Sequence, residues 1–297
     1  GEIKMELFAR LKERFPRLDC SKAFDFSRHT TIGCGGIAAA AAAPCCAEEA
    51  AELLTWLSRE KIAHCFLGAG ANVLPSDGFF DGVVIRFHRL DSLARQETEV
   101  FAGAGVTGGK LLTFSEKAGI GGFSPFSGIP MSVGGGTAMN AGIRELHFSD
   151  VVRRVLCVEN GKLRTLEWRD CSFSEKDSVF LSGIAVIGVR LRGKIARPED
   201  IARESCYFRK RRSCLPKGRS MGCVFVNPKG MSAGELIERC GLKGVRRGGA
   251  VVSEQHANFI LNEGATSADI SSLIAFVKEE VRRQTGILLR REIRCLP

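Results

Sequence analysis

The spacing of apolar residues predicts two helices and a strand in the first half of the chain. Between residues 47 and 61, apolar side chains recur every three or four positions and glutamates occupy the early turns, which is typical of an amphipathic helix. Residues 110–118 have the pattern of a second helix, ended by Gly119. The short apolar run 62–67 predicts a buried strand between them.

Short apolar segments bounded by turn residues predict further strands, and three longer segments predict helices. The predicted strands are 82–86, 99–105, 155–158, 163–166, 184–191, 251–252 and 258–262, with a turn at 159–162. The predicted helices are 197–212, 232–240 and 268–285. We therefore expect an α+β chain that closes with a small α+β domain.

Length and composition exclude several classes of protein. The chain has 297 residues, 44% of them hydrophobic, so it can bury a substantial core. No apolar run approaches the roughly 18 residues that a membrane-spanning helix needs, and the stretch 37–43 is mostly alanine. The N-terminal residues alternate charged and apolar side chains without the apolar core of a leader peptide. We expect a cytoplasmic protein that does not contact a membrane.

The twelve cysteines are scattered along the chain without a Cys-x-x-Cys pair. Disulfides are dense in small secreted domains, whereas this scatter in a full-sized chain is typical of reduced thiols. Cys45 and Cys46 are adjacent, and no cluster of cysteine and histidine has the spacing of zinc ligands. We expect no metal site.

The formal net charge of +10 and the basic run 209–212 raise the question of nucleic-acid binding. The run is short, and the chain has one tyrosine, Tyr207, so the aromatic side chains of a base-stacking surface are missing. Such a run is usually a solvated helix face. An anionic small molecule explains the excess of basic residues equally well, so we expect a small-molecule substrate and no nucleic acid.

Two glycine-rich stretches about sixty residues apart carry the strongest chemical signal. They are Gly68-Ala69-Gly70-Ala71-Asn72-Val73-Leu74, directly after the predicted strand 62–67, and Gly128-Ile129-Pro130-Met131-Ser132-Val133-Gly134-Gly135-Gly136. Glycines expose bare backbone N–H groups, which can hold a diphosphate without a basic side chain. Each stretch alone could instead be a tight turn or a crowded helix start. Together they favour FAD bound between two loops.

Further motifs follow these stretches in a recognisable order. They are Met139-Asn140-Ala141-Gly142, Gly222-Cys223-Val224-Phe225-Val226-Asn227-Pro228, Gly241-Leu242-Lys243-Gly244-x-Arg246-x-Gly248-Gly249-Ala250, Val252-Ser253-Glu254-Gln255-His256-Ala257-Asn258-Phe259 and Arg291-Glu292-Ile293-Arg294. With the glycine stretches, they resemble the UDP-N-acetylenolpyruvoylglucosamine reductases, also called UDP-N-acetylmuramate dehydrogenases. The resemblance runs from about residue 29 to residue 294, nearly the whole chain.

This resemblance implies a fold and a domain organisation. The implied fold is α+β, with a two-part FAD-binding domain of the PCMH type, similar to vanillyl-alcohol oxidase, before a smaller substrate-binding α+β domain. The implied limits are an N-terminal helical segment at 1–28, the FAD-binding domain at 29–193, with subdomains at about 29–75 and 76–193, and the C-terminal domain at 194–297. Because Tyr207 lies in the connector and the C-terminal domain is short, we expect the compact family type without an extra tyrosine-bearing loop. We also expect a monomer.

The implied activity is a two-step reduction in peptidoglycan precursor synthesis. NADPH would give a hydride to the flavin, and the reduced flavin would give one to the enolpyruvyl double bond of UDP-N-acetylglucosamine enolpyruvate, forming UDP-N-acetylmuramate. We expect non-covalent FAD, since no histidine lies in 68–74. The positions implied to contact FAD are Gly68, Ala69, Gly70, Ala71, Asn72, Val73, Gly105, Gly128, Ile129, Pro130, Ser132, Val133, Gly134, Asn140, Gly142 and Val189.

The chemistry needs a cation near the substrate carboxylate and an acid for the second alkene carbon. The resemblance implies Lys176, Cys223 and Glu292 for these roles, with lysine where the family has arginine and cysteine where it usually has serine. Lysine keeps the charge but lacks the planar fork of arginine, and a thiol is a competent proton donor. The alternatives are a solvated lysine, a small buried cysteine and a surface glutamate paired with Arg291 or Arg294.

Substrate binding is implied for Asn227, Lys217 and Arg246. The family's lysine or glutamine before Leu215 is Cys214 here, which puts one phosphate contact in doubt; Lys217, Arg219 or Arg246 could compensate. His256 is either a structural hydrogen-bonding residue or, less in keeping with its motif, a base.

Two alternative functions stay open on the sequence. One is another FAD-dependent oxidoreductase of the same cofactor-domain superfamily. The other is a flavin- or nucleotide-binding homologue with impaired catalysis, which Lys176 and Cys214 suggest. The substitution Lys176→Arg separates an impaired site from one adapted to lysine, because only the first should gain rate.

Overall fold

The computed structural model describes residues 3–297, with side chains from Glu6 onward, and this part of the chain combines helices with mostly antiparallel sheets. The helices are α1 (Ile3–Arg14), α2 (Ala47–Arg59), α3 (Gly108–Ala118), α4 (Val133–Ala138), α5 (Phe148–Val151), α6 (Pro198–Arg212), α7 (Ala233–Arg239) and α8 (Ser267–Thr285). The strands are β1 (Asp19–Asp25), β2 (Ile37–Ala43), β3 (His64–Phe66), β4 (Val73–Pro75), β5 (Phe79–Ile85), β6 (Leu93–Gln96), β7 (Glu99–Gly103), β8 (Ile120–Gly121), β9 (Gly142–Ile143), β10 (Leu146–His147), β11 (Val152–Glu159), β12 (Lys162–Glu167), β13 (Ala185–Arg192), β14 (Lys194–Ile195), β15 (Ser220–Cys223), β16 (Arg246–Arg247), β17 (Ala250–Val252), β18 (Phe259–Asn262) and β19 (Arg294–Leu296).

The chain forms two compact units, each built from several segments. Unit 1 comprises the described residues up to Lys22 together with Ala40–Ala69 and Gly82–Cys214. Unit 2 comprises Ala23–Ala39, Gly70–Asp81 and Leu215–Pro297. The predicted limits 28/29 and 193/194 divide the chain differently and stay a prediction of domain organisation. In particular, α6 falls in the predicted C-terminal domain but belongs to unit 1, because it packs on α3 and on the 3₁₀ turn Ser124–Phe126.

Unit 1 is organised around a five-stranded antiparallel sheet with the order β12-β11-β13-β7-β6. The β11–β12 hairpin turns at Asn160 and Gly161, both with positive φ, which matches the right-handed twist of paired strands. Strand β13 lies at the centre of the sheet and is buried over most of its length. Its side chains join those of β7, α3 and the 3₁₀ turn before Gly128 in one hydrophobic core.

Unit 2 contains a four-stranded antiparallel sheet with the order β15-β18-β17-β16, covered by α7 and α8. Helix α8 begins with Thr266 in a capping box with Asp269 and ends at Gly286 in the left-handed conformation. The carboxylate of Asp77 accepts hydrogen bonds from the N–H groups of Ser267 and Ala268, each at 2.9 Å. A second small sheet pairs β19 with β4 in parallel.

The predicted helices and strands form, with ends that differ by at most three residues. The strand predicted as buried at 62–67 is β3, and its three residues are only half-buried. Gly119 ends α3 with φ +65°, as its position predicts. The N-terminal segment 1–28 is α-helical over Ile3–Arg14, but strand β1 at Asp19–Asp25 and a 3₁₀ turn at Phe26–Arg28 follow; residues 1 and 2 lie outside the described part. The alanine-rich stretch 37–43, for which the sequence predicts no element, is strand β2. Within residues 3–297, no helix is both long and apolar enough to cross a bilayer.

Candidate functional site

The two glycine-rich stretches touch within unit 1. Ser132 caps α4, and its Oγ accepts a hydrogen bond from the Gly135 N–H at 3.2 Å. A Cβ placed on Gly68 would lie 2.8 Å from that Oγ and 3.5 Å from the Gly135 Cα. Real Cβ atoms do not approach other atoms closer than about 3 Å without displacement. The close approach of the two loops therefore favours glycine at position 68, because any Cβ there would displace the Ser132 hydroxyl.

The first loop supplies the free N–H donors that its composition predicts. In the described chain, the backbone N–H groups of Gly68 and Ala69 in unit 1 bond to no other residue. The same holds for Gly70, Ala71 and Asn72, which continue the loop in unit 2. Gly70 has φ +68°, and its missing Cβ leaves room for the His29 carbonyl, 2.3 Å from where that atom would be. Consecutive unpartnered N–H groups at a strand end form a suitable nest for an anion.

The second loop departs from the expectation of bare N–H groups. The Val133 N–H donates to the Val106 carbonyl at 2.8 Å, and the Gly134 N–H donates to the Ala104 carbonyl at 2.9 Å. The Gly135 N–H is bonded to the Ser132 cap. The chain leaving β7 runs alongside this loop and takes up its donors. The glycines here permit close packing, since a Cβ on Gly134 would lie 2.8 Å from the Cβ of Ala104.

Lys176 lies in unit 1 in a tight turn between Ser174 and Asp177, whose backbones bond to each other at 3.0 and 3.3 Å. Its φ of +59° is an unusual conformation for a residue other than glycine. The Nζ donates to the Gly142 carbonyl at 3.4 Å. The turn is held by Asn140, whose Nδ2 donates to the Ser174 carbonyl at 2.9 Å. Lys176 is thus brought together with Asn140 and Gly142, which belong to a different predicted motif.

The side chain of Asn140 is engaged with protein backbone on both of its polar atoms. Its Oδ1 accepts from the Ser149 N–H at 2.8 Å, in addition to the bond from Nδ2 to Ser174. Asn140 is 5% exposed and has φ +42°. Its observed contacts position the Lys176 turn, whereas the sequence predicts a contact with cofactor.

His147 is a neighbour of Lys176 that the sequence analysis missed. Burial lowers the pKa of His147, and the positive charge of Lys176 lowers it further, against the smaller opposing effects of Asp150 and Glu175. A half-buried ring beside a cation favours its neutral form. No sequence signal points to this residue, because its approach to Lys176 depends on the turn at Gly142, where a Cβ would lie 2.2 Å from the Leu146 carbonyl.

The other predicted cofactor positions of unit 1 are mostly parts of its scaffold. Gly105 donates its N–H to Leu90 at 2.9 Å, and a Cβ there would lie 2.1 Å from the Phe87 carbonyl. The Gly128 carbonyl accepts from the Arg212 Nε at 3.1 Å. Val189 is fully buried in β13. Ile129 and Pro130 line a groove of about 390 Å³ between α3 and α6.

The backbone segments that bear Cys223 and Glu292 pair with each other within unit 2. The Glu292 N–H donates to the carbonyl of Val224, the residue after Cys223, at 2.8 Å. Phe225 and Arg291 form an isolated antiparallel bridge, and both Cys223 and Glu292 are half-buried. Asn72 joins them, because its Nδ2 donates to the Glu292 carbonyl at 3.4 Å. The proposed acid, the glutamate and the end of the first glycine loop are therefore adjacent.

Asn227 and Lys217 lie on either side of β15 along the chain, and both are exposed. The Asn227 Oδ1 accepts from the Ala233 N–H at 2.9 Å, which leaves Nδ2 as the donor of this exposed amide. Arg246 lies on β16, three strand spacings or roughly 14 Å from β15. Its guanidinium is paired with Glu263 at 2.7 Å. The structure therefore separates Arg246 from Cys223.

His256 has the contacts of a structural residue. Its Nδ1 accepts a hydrogen bond from the Asn258 N–H at 3.3 Å, and its ring packs edge-on against Phe259. Burial lowers its pKa, and Lys243 adds to the effect.

Cys214, in place of a lysine or glutamine, is exposed at the end of unit 1 and donates to the Arg211 carbonyl. None of the twelve cysteines forms a disulfide, and among the described residues no cluster of histidine, cysteine or carboxylates is arranged to hold a metal.

Family models match most of the chain. A model described as an FAD binding domain matches residues 38–167. A model described as the C-terminal domain of UDP-N-acetylenolpyruvoylglucosamine reductase matches residues 215–296. These matches and the mixed helix and strand content confirm the predicted α+β fold, with a PCMH-type FAD-binding region before a smaller α+β region.

Similar proteins cover nearly the full length of the chain. A UDP-N-acetylenolpyruvoylglucosamine reductase of Geobacter metallireducens is 35% identical over 98% of both chains. One of Moorella thermoacetica is 38% identical over 90% of both chains. The crystal structure of UDP-N-acetylenolpyruvylglucosamine reductase from Thermus caldophilus is similar with a TM-score of 0.81 at 31% identity, covering 95% of this chain and 99% of that one.

Proposed function

Because the chain belongs to the UDP-N-acetylenolpyruvoylglucosamine reductase family, we propose that it reduces the enolpyruvyl group of UDP-N-acetylglucosamine enolpyruvate to give UDP-N-acetylmuramate for peptidoglycan synthesis. FAD is its cofactor, and NADPH is its reductant. One observation of the geometry carries this proposal furthest. The hydrogen bond from the Glu292 N–H to the Val224 carbonyl holds the glutamate beside the segment that bears Cys223.

The residues present fit an FAD molecule. The unpartnered N–H groups of 68–72 are suited to its diphosphate, and the missing Cβ of Gly68 leaves the loop open beside Ser132. We assign diphosphate binding to Gly68, Ala69, Gly70, Ala71 and Asn72. Val73, Gly105, Gly128, Ile129, Pro130, Ser132, Val133, Gly134, Asn140, Gly142 and Val189 would shape the site. Bound FAD would supply the two-electron carrier between NADPH and the substrate.

Lys176 would bind the substrate carboxylate and stabilise the negative charge that develops on it. Its turn is fixed by the bonds from Asn140 to Ser174 and from Nζ to Gly142, so the ammonium is held before substrate arrives. Preorganised charge is worth more than a mobile charge, because no reorganisation is needed during reaction. An ammonium is a compact charge without the planar fork of arginine, so Lys176 would lose the two-point hydrogen bonding to a carboxylate that the family's arginine provides.

Cys223 would give its proton to the second alkene carbon, and Glu292 would assist by orienting or relaying that proton. Both side chains are half-buried, so water reaches them less freely than at the surface. A thiol is far more acidic than a hydroxyl, so this chain keeps a proton donor where its relatives usually carry serine.

The uridine diphosphate part of the substrate would meet Asn227 and Lys217. The Nδ2 of the exposed Asn227 is a donor, and Lys217 is an exposed cation shortly before β15. Arg246 would take part only after release from Glu263, so Arg219, which precedes β15 directly, is the better second cation. We also propose that the chain works as a monomer in the cytoplasm without nucleic-acid or membrane partners; twelve cysteines without a disulfide are typical of a reducing compartment.

The test is the visible spectrum of purified protein. Anaerobic NADPH should bleach a bound yellow flavin, and UDP-N-acetylglucosamine enolpyruvate should restore the colour. The matched control is UDP-N-acetylglucosamine, which lacks the double bond and should leave the flavin reduced. Flavin that stays reduced with the full substrate would instead favour an impaired homologue, and a protein that takes up no flavin would contradict the proposal at its first step.

A further inference from the structure

Asn258 forms a two-bond clamp on the backbone of Phe225. Its Oδ1 accepts from the Phe225 N–H at 2.9 Å, and its Nδ2 donates to the Phe225 carbonyl at 2.8 Å. The Asn258 carbonyl also accepts from the Val224 N–H at 2.9 Å. Asn258 is only 2% exposed, and Val224 and Phe225 are each 1% exposed. The Asn258 side chain therefore provides hydrogen-bond partners for both the backbone N–H and the backbone C=O of Phe225.

The clamp lies just beyond the end of strand β15, where regular pairing with β18 stops. Strands β15 and β18 pair at Ser220 with Leu261 and at Cys223 with Phe259, with a register irregularity between them, and β15 ends at Cys223. The next residues are buried, and buried backbone N–H and C=O groups without partners destabilise the folded state. The Asn258 amide replaces the missing strand partner, so the chain beyond Cys223 continues in one fixed path.

This fixed path supports the reactive residues from both sides. Cys223 precedes the clamped Phe225 by two residues, and Asn227 follows it by two. The Val224 carbonyl accepts from the Glu292 N–H, and the Val226 N–H donates to the Arg290 carbonyl at 2.9 Å. A shift of Val224 or Phe225 would therefore move the thiol and the glutamate relative to each other.

We propose that Asn258 is a positioning residue that sets the distance between the Cys223 thiol and the Glu292 carboxylate by clamping Phe225. The role of these two groups rests on the proposed function. The clamp itself is a statement about this chain and can be tested without substrate.

The chain offers a matched control at the other end of β18. Asn262 is 8% exposed, its Nδ2 donates to the Ile32 carbonyl at 2.7 Å, and its Oδ1 accepts from Gly264 and Ala265. It is also a buried amide with backbone partners, but it holds a different loop. The variants are Asn258→Ala, Asn258→Asp, which keeps the size and the acceptor for the Phe225 N–H, and Asn262→Ala.

Hydrogen exchange of the full chain measures the clamp directly. In both Asn258 variants, peptides covering 222–228 and 290–294 should exchange at least tenfold faster than in the parent protein, while those covering 262–266 change little. Asn262→Ala should give the reverse pattern. If peptide 290–294 keeps its protection in both Asn258 variants, Asn258 does not position Glu292 and the inference is overturned.

Stopped-flow absorbance of the flavin-loaded protein then measures the chemistry. We expect the Asn258 variants to be reduced by NADPH within threefold of the parent rate but to be reoxidised by saturating substrate at least tenfold more slowly. Asn262→Ala should change neither rate by more than threefold. Equal loss of both half-reactions, or the same selective loss in Asn262→Ala, would overturn the positioning role. A parent protein that substrate fails to reoxidise would contradict the proposed function, whereas the exchange pattern would still decide the clamp.

Discussion

The Oγ of Ser132 lies 2.8 Å from the point where a Cβ on Gly68 would stand. The same Oγ accepts the hydrogen bond of the Gly135 N–H and so caps α4. Two loops from distant parts of the chain therefore depend on one hydroxyl. Any side chain at position 68 must push this hydroxyl away from its capping partner.

Gly68→Ala should weaken FAD binding while leaving the protein folded. Ser132 would have to rotate and give up its cap, which is worth about 1 kcal/mol, and the added methyl group would stand beside the N–H groups of the first loop. We expect the FAD dissociation constant to rise roughly fivefold to tenfold, measured by fluorescence titration of apoprotein. Gly109→Ala is the control, because a Cβ there meets no atom within 4 Å and the residue lies in helix α3. Equal binding by both variants would contradict the role of this contact.

Lys176→Gly should separate the charge of Lys176 from its contribution to folding. The native φ of +59° is comfortable for glycine but strained for lysine, so the free energy of unfolding should change by no more than about 1 kcal/mol. Loss of the ammonium should slow reoxidation by substrate by roughly 100-fold, with reduction by NADPH little changed. Thermal unfolding and stopped-flow absorbance provide the two measurements. Lys176→Arg is the companion variant, and a normal reoxidation rate in Lys176→Gly would show that the cation is not used.

Cys223→Ser and Cys223→Ala should differ strongly in the same assay. Serine keeps an O–H donor at the position that the family usually fills with serine, so reoxidation should stay within about tenfold of the parent rate. Alanine removes the proton donor, and the rate should fall by roughly 100-fold or more. Two variants with equal rates would indicate that Cys223 is a structural residue.

Acid should destabilise the protein partly through His256. Burial lowers its pKa in the folded state, so the unfolded chain, with an ordinary value near 6.5, binds the proton more readily. The stabilisation is complete above about pH 6.5 and is lost as the pH falls from there toward the native pKa. Urea unfolding at pH 7.5 and 5.5 should show a smaller acid loss for His256→Gln than for the parent. His88 and His147, whose pKa values are also lowered, would account for the remainder.

Local sequence patterns predict five of the helices and eight of the strands described above. The helix α8 has a capping box at its start and glycine at its end, so its limits follow from side chains within the segment. The turn at Asn160 and Gly161 is equally local. Such elements can be predicted because the groups that satisfy their backbone lie within a few residues.

The alanine strand β2 could not be predicted in this way. Alanine is the strongest helix former, yet residues 37–43 lie between β1 and β5 in a four-stranded sheet, and all six alanines are buried. The strands that impose the conformation come from other parts of the chain. Tertiary pairing overrides intrinsic preference in this case.

The candidate site shows the same contrast between features set by local sequence and features set by tertiary contacts. The sequence by itself determined the chemical groups: two glycine loops, a lysine, a cysteine and a glutamate in motifs of one family. Only the tertiary structure decided that the N–H groups of Val133 and Gly134 donate to carbonyls of the segment that follows β7. It also decided that Arg246 is paired with Glu263, away from Cys223. It also brought Asn258 onto Phe225 and His147 near Lys176. These relationships join residues that are distant in the chain or lie across a turn, and spacing along a sequence does not encode which hydrogen-bonding groups are already taken.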